Sequence, residues 1–401
     1  MYKKIAIFLL VSSVLFGCKK EKSPEPTYQT LVNYRYLQEL GSLEMAFALS
    51  AIGADLGNVA SLIRNNIDIY RINYRTRFKN QTITASGLVC VPKGLNNLPI
   101  VSAQHGTIFI DSTAPSYFSF IFPQPPRSMT GFEVLASMGY ITVLPDYIGY
   151  GESSNILHPY YLEEYSATAC IDMLKAAFEL LNEKGIIFNR KLFLLGYSQG
   201  GYVTLAMQKK LQNNPSELGV PITATAAGAG GYNINRVMEN IFKDSIYTSP
   251  NFLGYVLHSY NTTLNWNRAL NTMFQSPFDA RIPILYNGNY SNGFINSALD
   301  TNLNRLFVPS FFQQLKDSTD SQVINAFADN SVHDYIPETP LRLYHATTDE
   351  VIPVATSREV FQVMNSGGGN VEYIEIPGDY THATAVIPMM INVILWFEGL
   401  K

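Results

Sequence analysis

An apolar run, a serine flanked by glycines and a helical spacing follow one another across residues 191–214, and few folds accommodate that succession. Lys191-Leu192-Phe193-Leu194-Leu195 has the apolar continuity of a strand buried on both faces. Gly196-Tyr197-Ser198-Gln199-Gly200 matches G-x-S-x-G, the pattern of a serine held on a tight, strained turn between a strand and a helix. A side chain at 196 or 200 would collide with the neighbouring strand or helix, which is why both positions call for glycine. Val203, Ala206, Met207, Lys210 and Leu211 then recur at helical spacing until Asn213, Asn214 and Pro215 end the run. This succession lifts the Ser198 hydroxyl above the edge of a sheet.

The flanking sequence predicts what sheet that is. Strand patterns at 99–104, 140–144, 192–195, 222–227, 341–344 and 371–376 take turns with helical patterns at 131–138, 163–181 and 354–364, and a last helix runs to Phe397. Such alternation predicts an α/β fold, a mostly parallel central sheet covered by helices on both faces, with ligands at the carboxyl ends of its strands. Residues 67–78 and 81–91 alternate apolar and polar around Asn80, predicting an antiparallel pair at one sheet edge. Residues 31–65, with Leu37, Leu40, Met45 and Leu49 at helical spacing, predict a helical lead-in. Residues 233–339 break the rhythm with helix-like pieces and many aromatics, among them Tyr255, Tyr260, Trp266, Phe274, Phe311 and Phe312. We read them as a mainly helical cap inserted over the mouth of the site, between core segments 31–232 and 340–401. Its aromatics serve either as the cap's own core or as substrate contacts.

The first residues form a separate piece. Lys3 and Lys4 precede an almost wholly apolar stretch at 5–17, too short for a permanent membrane span and suited to a signal peptide over 1–18. Leu15-Phe16-Gly17-Cys18 resembles the lipobox of bacterial lipoproteins, with Phe16 a departure from the small or β-branched residue usual there. The resemblance implies lipid on Cys18 and hence membrane contact; without it the protein would be periplasmic or secreted. The charged, proline-bearing residues 19–30 read as a flexible tether, and Lys20 at the position after the cysteine favours the outer membrane or cell surface. Removing Lys3 and Lys4 leaves 26 basic against 32 acidic residues, a net charge near −6, which offers no surface for nucleic acid. Of the other two cysteines, Cys90 falls in a strand pattern and Cys170 in a helix pattern, predicting buried free thiols. No metal or cofactor motif is present, and none is expected.

A serine hydroxyl becomes a nucleophile only when a base takes its proton, and the base needs a third group to hold its tautomer. In this architecture the chain order is serine, acid, histidine. Asp349 lies on the loop beyond strand 341–344, and the Val351-Ile352-Pro353 that follows favours it over the adjacent Glu350. His382 follows strand 371–376 and stands just before the final helix. Of the six histidines it alone has that order and position; His105 precedes the serine, His345 precedes the acid, and His158, His258 and His333 read as structural. Asp379 reads as a turn residue and Asp146 as a brace for the loop after strand 140–144. Two donors must face the developing oxyanion, each supplying about 3 kcal/mol. The backbone N–H of Gln199 is the first candidate, and that of Thr107, after the flexible Gly106, is the second, with the Gly106 N–H as its alternative. The apolar segment 111–127 lines an acyl pocket, forms a flap, or is buried against the cap.

Taken together, these residues resemble the α/β-hydrolase superfamily, and more narrowly the secretory lipases that include fungal lipase-A-type enzymes and bacterial esterases. The narrower resemblance rests on Leu144-Pro145-Asp146-Tyr147-Ile148-Gly149-Tyr150-Gly151-Glu152-Ser153, on His158-Pro159-Tyr160 and on the Gly196 to Gly201 turn, and covers residues 65–400. It implies that Ser198, Asp349 and His382 form a triad that hydrolyses small-molecule acyl esters through an acyl-enzyme. His345 stands where many relatives carry glycine. A peptidase or acyltransferase with the same triad, or a surface lipoprotein that binds without turnover, are the other readings.

Overall fold

The computed structural model describes residues 28–401. The leader at 1–18, with Cys18, and the tether up to residue 27 lie outside the described residues. Nine strands, β1 (Leu31–Leu40), β2 (Ile67–Phe78), β3 (Gln81–Pro92), β4 (Leu98–Gln104), β5 (Ile141–Pro145), β6 (Phe188–Tyr197), β7 (Ile222–Gly228), β8 (Leu341–Ala346) and β9 (Val371–Ile376), form one sheet in the order β1-β2-β3-β5-β4-β6-β7-β8-β9. The first three strands and β5 pair antiparallel, and from β5 to β9 every pairing is parallel.

The helices are α1 (Ser42–Ala51), α2 (Val134–Ser137), α3 (Glu163–Glu183), α4 (Gln199–Asn213), α5 (Ile234–Lys243), α6 (Pro250–Thr263), α7 (Phe278–Leu285), α8 (Asn292–Ser297), α9 (Leu303–Leu306), α10 (Pro309–Lys316), α11 (Ser321–Asp329), α12 (Val354–Ser366) and α13 (Val386–Leu400). Strand side chains alternate between two cores, because successive residues of a strand point to opposite faces. Leu192 and Leu194 belong to the core that also holds residues of α3, α4 and α12, while Phe193 and Leu195 belong to the core that holds those of α1, α2 and α13. This alternation also separates the two thiols: Cys90 belongs to one core and Cys170 to the other, both free and buried. The seven helices α5–α11 fill the interval between β7 and β8.

Two expectations are corrected. Residues 31–40 form the edge strand β1, so the helical lead-in begins only at Ser42, and the β2–β3 pair is not at the edge. The spacing of Leu37 and Leu40 fits a helix, but Tyr34 and Tyr36 set their rings edge-on to Tyr70 of β2, and the open edge of β2 supplies the ladder that decides the conformation. Glu179 of α3 pins the start of β1 by accepting the N–H groups of Gln29, Thr30 and Leu31. The apolar segment 111–127 does not line the cavity at Ser198; it meets the insertion at its start, where the Asp111 N–H donates to the Gly288 carbonyl at 2.9 Å, and its phenylalanines turn elsewhere. Phe118 and Phe120 are buried in the core shared by α1 and α2, and the Gln38 side chain bonds both backbone groups of Phe120.

Candidate active site

Strand β6 delivers Ser198 to the carboxyl edge of the sheet, and α4 begins at the next residue. The turn is strained: Ser198 has φ +59° and ψ −125°, a backbone region costly for any residue with a Cβ. The two glycines make that turn possible. A Cβ on Gly200 would stand 1.9 Å from the carbonyl oxygen of Gln104 on β4, and one on Gly196 would stand 2.1 Å from the Gly200 carbonyl. Both obstacles are backbone. Gly200→Ala therefore has to push α4 away from β4, and we expect a loss of about 3 kcal/mol or more, read as a lowered midpoint in urea unfolding.

His382 Nε2 lies 2.7 Å from Ser198 Oγ, and His382 Nδ1 lies 2.6 Å from Asp349 Oδ2. Since a carboxylate only accepts, Nδ1 carries the proton and Nε2 offers its lone pair to the serine. The Asp349 side chain is fully buried. Its Oδ1 accepts the backbone N–H groups of Val351 and Ile352 at 2.9 and 2.8 Å. Burial by itself raises the carboxyl's pKa, but hydrogen bonds from His345 and then His382 outweigh it and hold the group well below the usual carboxylate range. Glu350, the alternative acid, does not touch the imidazole; its Oε2 accepts the backbone N–H of His382 at 2.8 Å. The Tyr197 hydroxyl donates to the His382 carbonyl at 2.7 Å, so His382 is clamped through its backbone from two sides. Asp379 is exposed, away from these contacts.

The expected donors flank the serine. Gln199 is the first residue of α4, so its N–H has no acceptor within the helix. Thr107 follows Gly106, whose Cβ, if it had one, would lie 3.7 Å from Ser198 Cβ. Asp146 is fully buried and accepts from Ser86 Oγ at 2.5 Å and from the Ser116 N–H at 2.8 Å, as a loop brace does.

Two histidines stand closer to this site than their sequence positions indicated. His345, with no exposed surface, brings Nε2 to 3.2 Å from Asp349 Oδ2 while Ser357 Oγ lies 2.7 Å from its Nδ1. His158 sits 2.6 Å from the side-chain amide of Gln199, and burial pushes its pKa down to about 3. The signal for His345 was its placement four residues before the acid, where the end of β8 turns its ring back over the loop. Nothing near His158 in the sequence pointed to Gln199, because that contact spans 41 residues.

Beyond Ser198 opens a narrow apolar cavity of about 40 Å³. Ile234, Val237, Met238 and Ile241 of α5, Leu253 and Val256 of α6, and Val351 and Ile352 beside the acid line it. None of the six aromatics singled out in the inserted helices reaches this cavity, whereas Tyr247 and Phe252 of the same interval line it; Phe274, Phe311 and Phe312 are buried among the inserted helices, and Tyr255 and Tyr260 pack against Tyr160 and Tyr161.

A model of the secretory lipase family matches residues 128–399. Lipase 2 and lipase 10 of Candida albicans are 24% and 25% identical to this chain over 71% and 59% of its length. The chain spans 57% and 50% of those two lipases, about half the length of the curated relatives it matches. A candidate hydrolase from Legionella pneumophila superposes with a TM-score of 0.82 at 27% identity, over 93% of this chain and 98% of that one. The rice cell wall degrading esterase LipA of Xanthomonas oryzae shares the fold at a TM-score of 0.78 and 21% identity, over 94% of this chain and all of the other. Lipase A of Candida antarctica in its closed state shares it at 0.63 and 16%, over 92% and 82%. The α/β-hydrolase sheet, the helical insertion before β8 and a family match that takes in the serine turn, the acid loop and the final histidine together establish that this chain belongs to the secretory lipase family.

Proposed function

We propose that the protein is a serine-dependent carboxylic ester hydrolase of the lipase and esterase type, working through an acyl-enzyme at Ser198. The observation that carries this reading is the unbroken hydrogen-bonded line from Asp349 through His382 to Ser198, ending at the mouth of an apolar cavity. His382 Nε2 takes the Ser198 proton as Oγ attacks the ester carbonyl carbon. The Gln199 and Thr107 N–H groups receive the oxyanion. When the tetrahedral species collapses, the carbon–oxygen bond to the alcohol breaks and His382 returns the proton to the leaving oxygen. Water then repeats the sequence on the acyl-enzyme, releasing the acid and restoring the serine. The cavity between α5 and α6 offers the acyl chain an almost wholly apolar wall. The leader pattern at 1–18 supports a location outside the cytoplasm, on a membrane through lipid on Cys18 or, without that lipid, periplasmic or secreted.

An active-site phosphonate should label Ser198 stoichiometrically, and p-nitrophenyl esters with a linear acyl chain should turn over faster than the acetyl ester. Unlabelled Ser198 in folded protein would overturn the assignment. The pH profile is a second check. Asp349, its pKa held well below the usual carboxylate range by its hydrogen bonds, stays ionised through mild acid and should add no acid limb of its own to kcat/KM; a limb in the ordinary carboxylate range that Asp349→Asn abolishes would count against this placement.

A further inference from the structure

The segment 158–161 joins the two oxyanion residues to the inserted helices. On one side, His158 Nδ1 lies 2.6 Å from the carbonyl of Ile148, which only accepts, so Nδ1 bears the proton and Nε2 is a lone pair. That lone pair receives the side-chain amide of Gln199 at 2.6 Å. The ring is 3% exposed, and the close approach of the 149 backbone that seats it needs a glycine: a Cβ there would stand 2.5 Å from His158 Cα. On the other side, the Tyr160 hydroxyl lies 2.9 Å from Thr107 Oγ1.

Both residues are themselves fastened to α6. Ser259 Oγ donates to the His158 carbonyl at 3.0 Å and accepts the Tyr160 N–H at 2.8 Å. The Tyr160 ring stacks on Tyr255 at 4.5 Å between centroids, and the Tyr260 hydroxyl donates to the Tyr161 carbonyl at 2.6 Å. One helix of the insertion thus grips the backbone of a four-residue strap, and two side chains of that strap grip the residues on either side of Ser198.

We infer that His158 and Tyr160 are positioning residues that set the Gln199 and Thr107 donors, and that α6 controls their placement through Ser259. The inference rests on the serine-hydrolase reading proposed above, in which Gln199 and Thr107 serve the acyl transfer at Ser198. A displacement of about 1 Å in such a donor is enough to cost up to about a hundredfold in rate, so the strap makes the position of the insertion part of the catalytic geometry. Any rearrangement of α6 on substrate entry is then transmitted to both donors at once.

The test counts kcat per Ser198 titrated by the phosphonate, because a merely structural defect lowers the number of titratable sites and the Tm without changing turnover at each surviving site. Tyr160→Phe and Ser259→Ala, each the loss of one hydroxyl, should lower kcat per site about tenfold with a smaller change in KM. Tyr160→Phe combined with Thr107→Val should cost no more than the larger single effect, since both remove the same hydrogen bond. His158→Gln, whose amide oxygen still accepts from Gln199, should retain more activity than His158→Ala. Wild-type kcat per site in both single-hydroxyl variants, or additivity in the double variant, would overturn the strap. Turnover surviving in Ser198→Ala would instead overturn the assignment beneath it, so the two failures are distinguishable.

Discussion

Ser198→Ala is expected to lower kcat for p-nitrophenyl esters by about 10⁶-fold while leaving the fold intact. The magnitude follows from what the alanine removes. In the proposed mechanism no acyl-enzyme forms without Oγ, and His382, 2.7 Å from the missing atom, has only water to activate beside the apolar cavity. The residual rate above solution comes from oxyanion donors and binding, which the substitution leaves alone. Stability should change little or rise, because alanine is subject to the same φ of +59° but no longer leaves a hydroxyl committed to a single partner. The measurement is kcat in folded protein with matched circular dichroism; activity within about tenfold of wild type would sink the acyl-enzyme reading.

Asp349→Asn is expected to cost about 10⁴-fold in kcat, whereas Glu350→Gln should cost no more than about tenfold. The two residues are adjacent but hold different parts of His382. Asp349 Oδ2 accepts the Nδ1 proton at 2.6 Å, and with an amide NH2 turned toward it the imidazole is driven into the tautomer that points a proton at Ser198 instead of a lone pair. Glu350 reaches only the His382 backbone N–H, a contact that glutamine's own oxygen preserves. Equal losses in the two variants would mean that charge near the histidine, not its tautomer, is what matters. His345 sharpens this contrast: it is a second donor to Asp349, so an asparagine at 349 must satisfy two imidazoles with one oxygen.

The strands and helices of the core were legible because they carry strong local periodicity. Strands β4, β6, β7, β8 and β9 are apolar or alternating runs bounded by turn residues, and each lies where its pattern predicts, β9 with the same bounds and the others longer at one or both ends. β1 was not legible. Its leucines at 37 and 40 satisfy a helical spacing, and only the unpaired edge of β2 makes the extended form the better one. The segment 111–127 failed similarly, since apolar content says that a segment will be buried and nothing about which surface buries it. Phe118 and Phe120 went to the core of α1 and α2 through a pairing with Gln38, a residue 82 positions away from Phe120.

For the candidate site, the amino-acid sequence by itself determined the cast and its order: a serine on a turn only glycines at 196 and 200 permit, then Asp349, then His382, each just after a strand. Parallel strands end on the same side of their sheet, so residues placed there are neighbours whatever their separation along the chain. Tertiary structure alone decided the bonds: that Asp349 rather than Glu350 meets the imidazole, and that His158 and Tyr160 tie the insertion to the residues beside Ser198. Those contacts join side chains from separate elements over distances of about 3 Å, and local patterning, which acts within one helix or strand, has no means of specifying them.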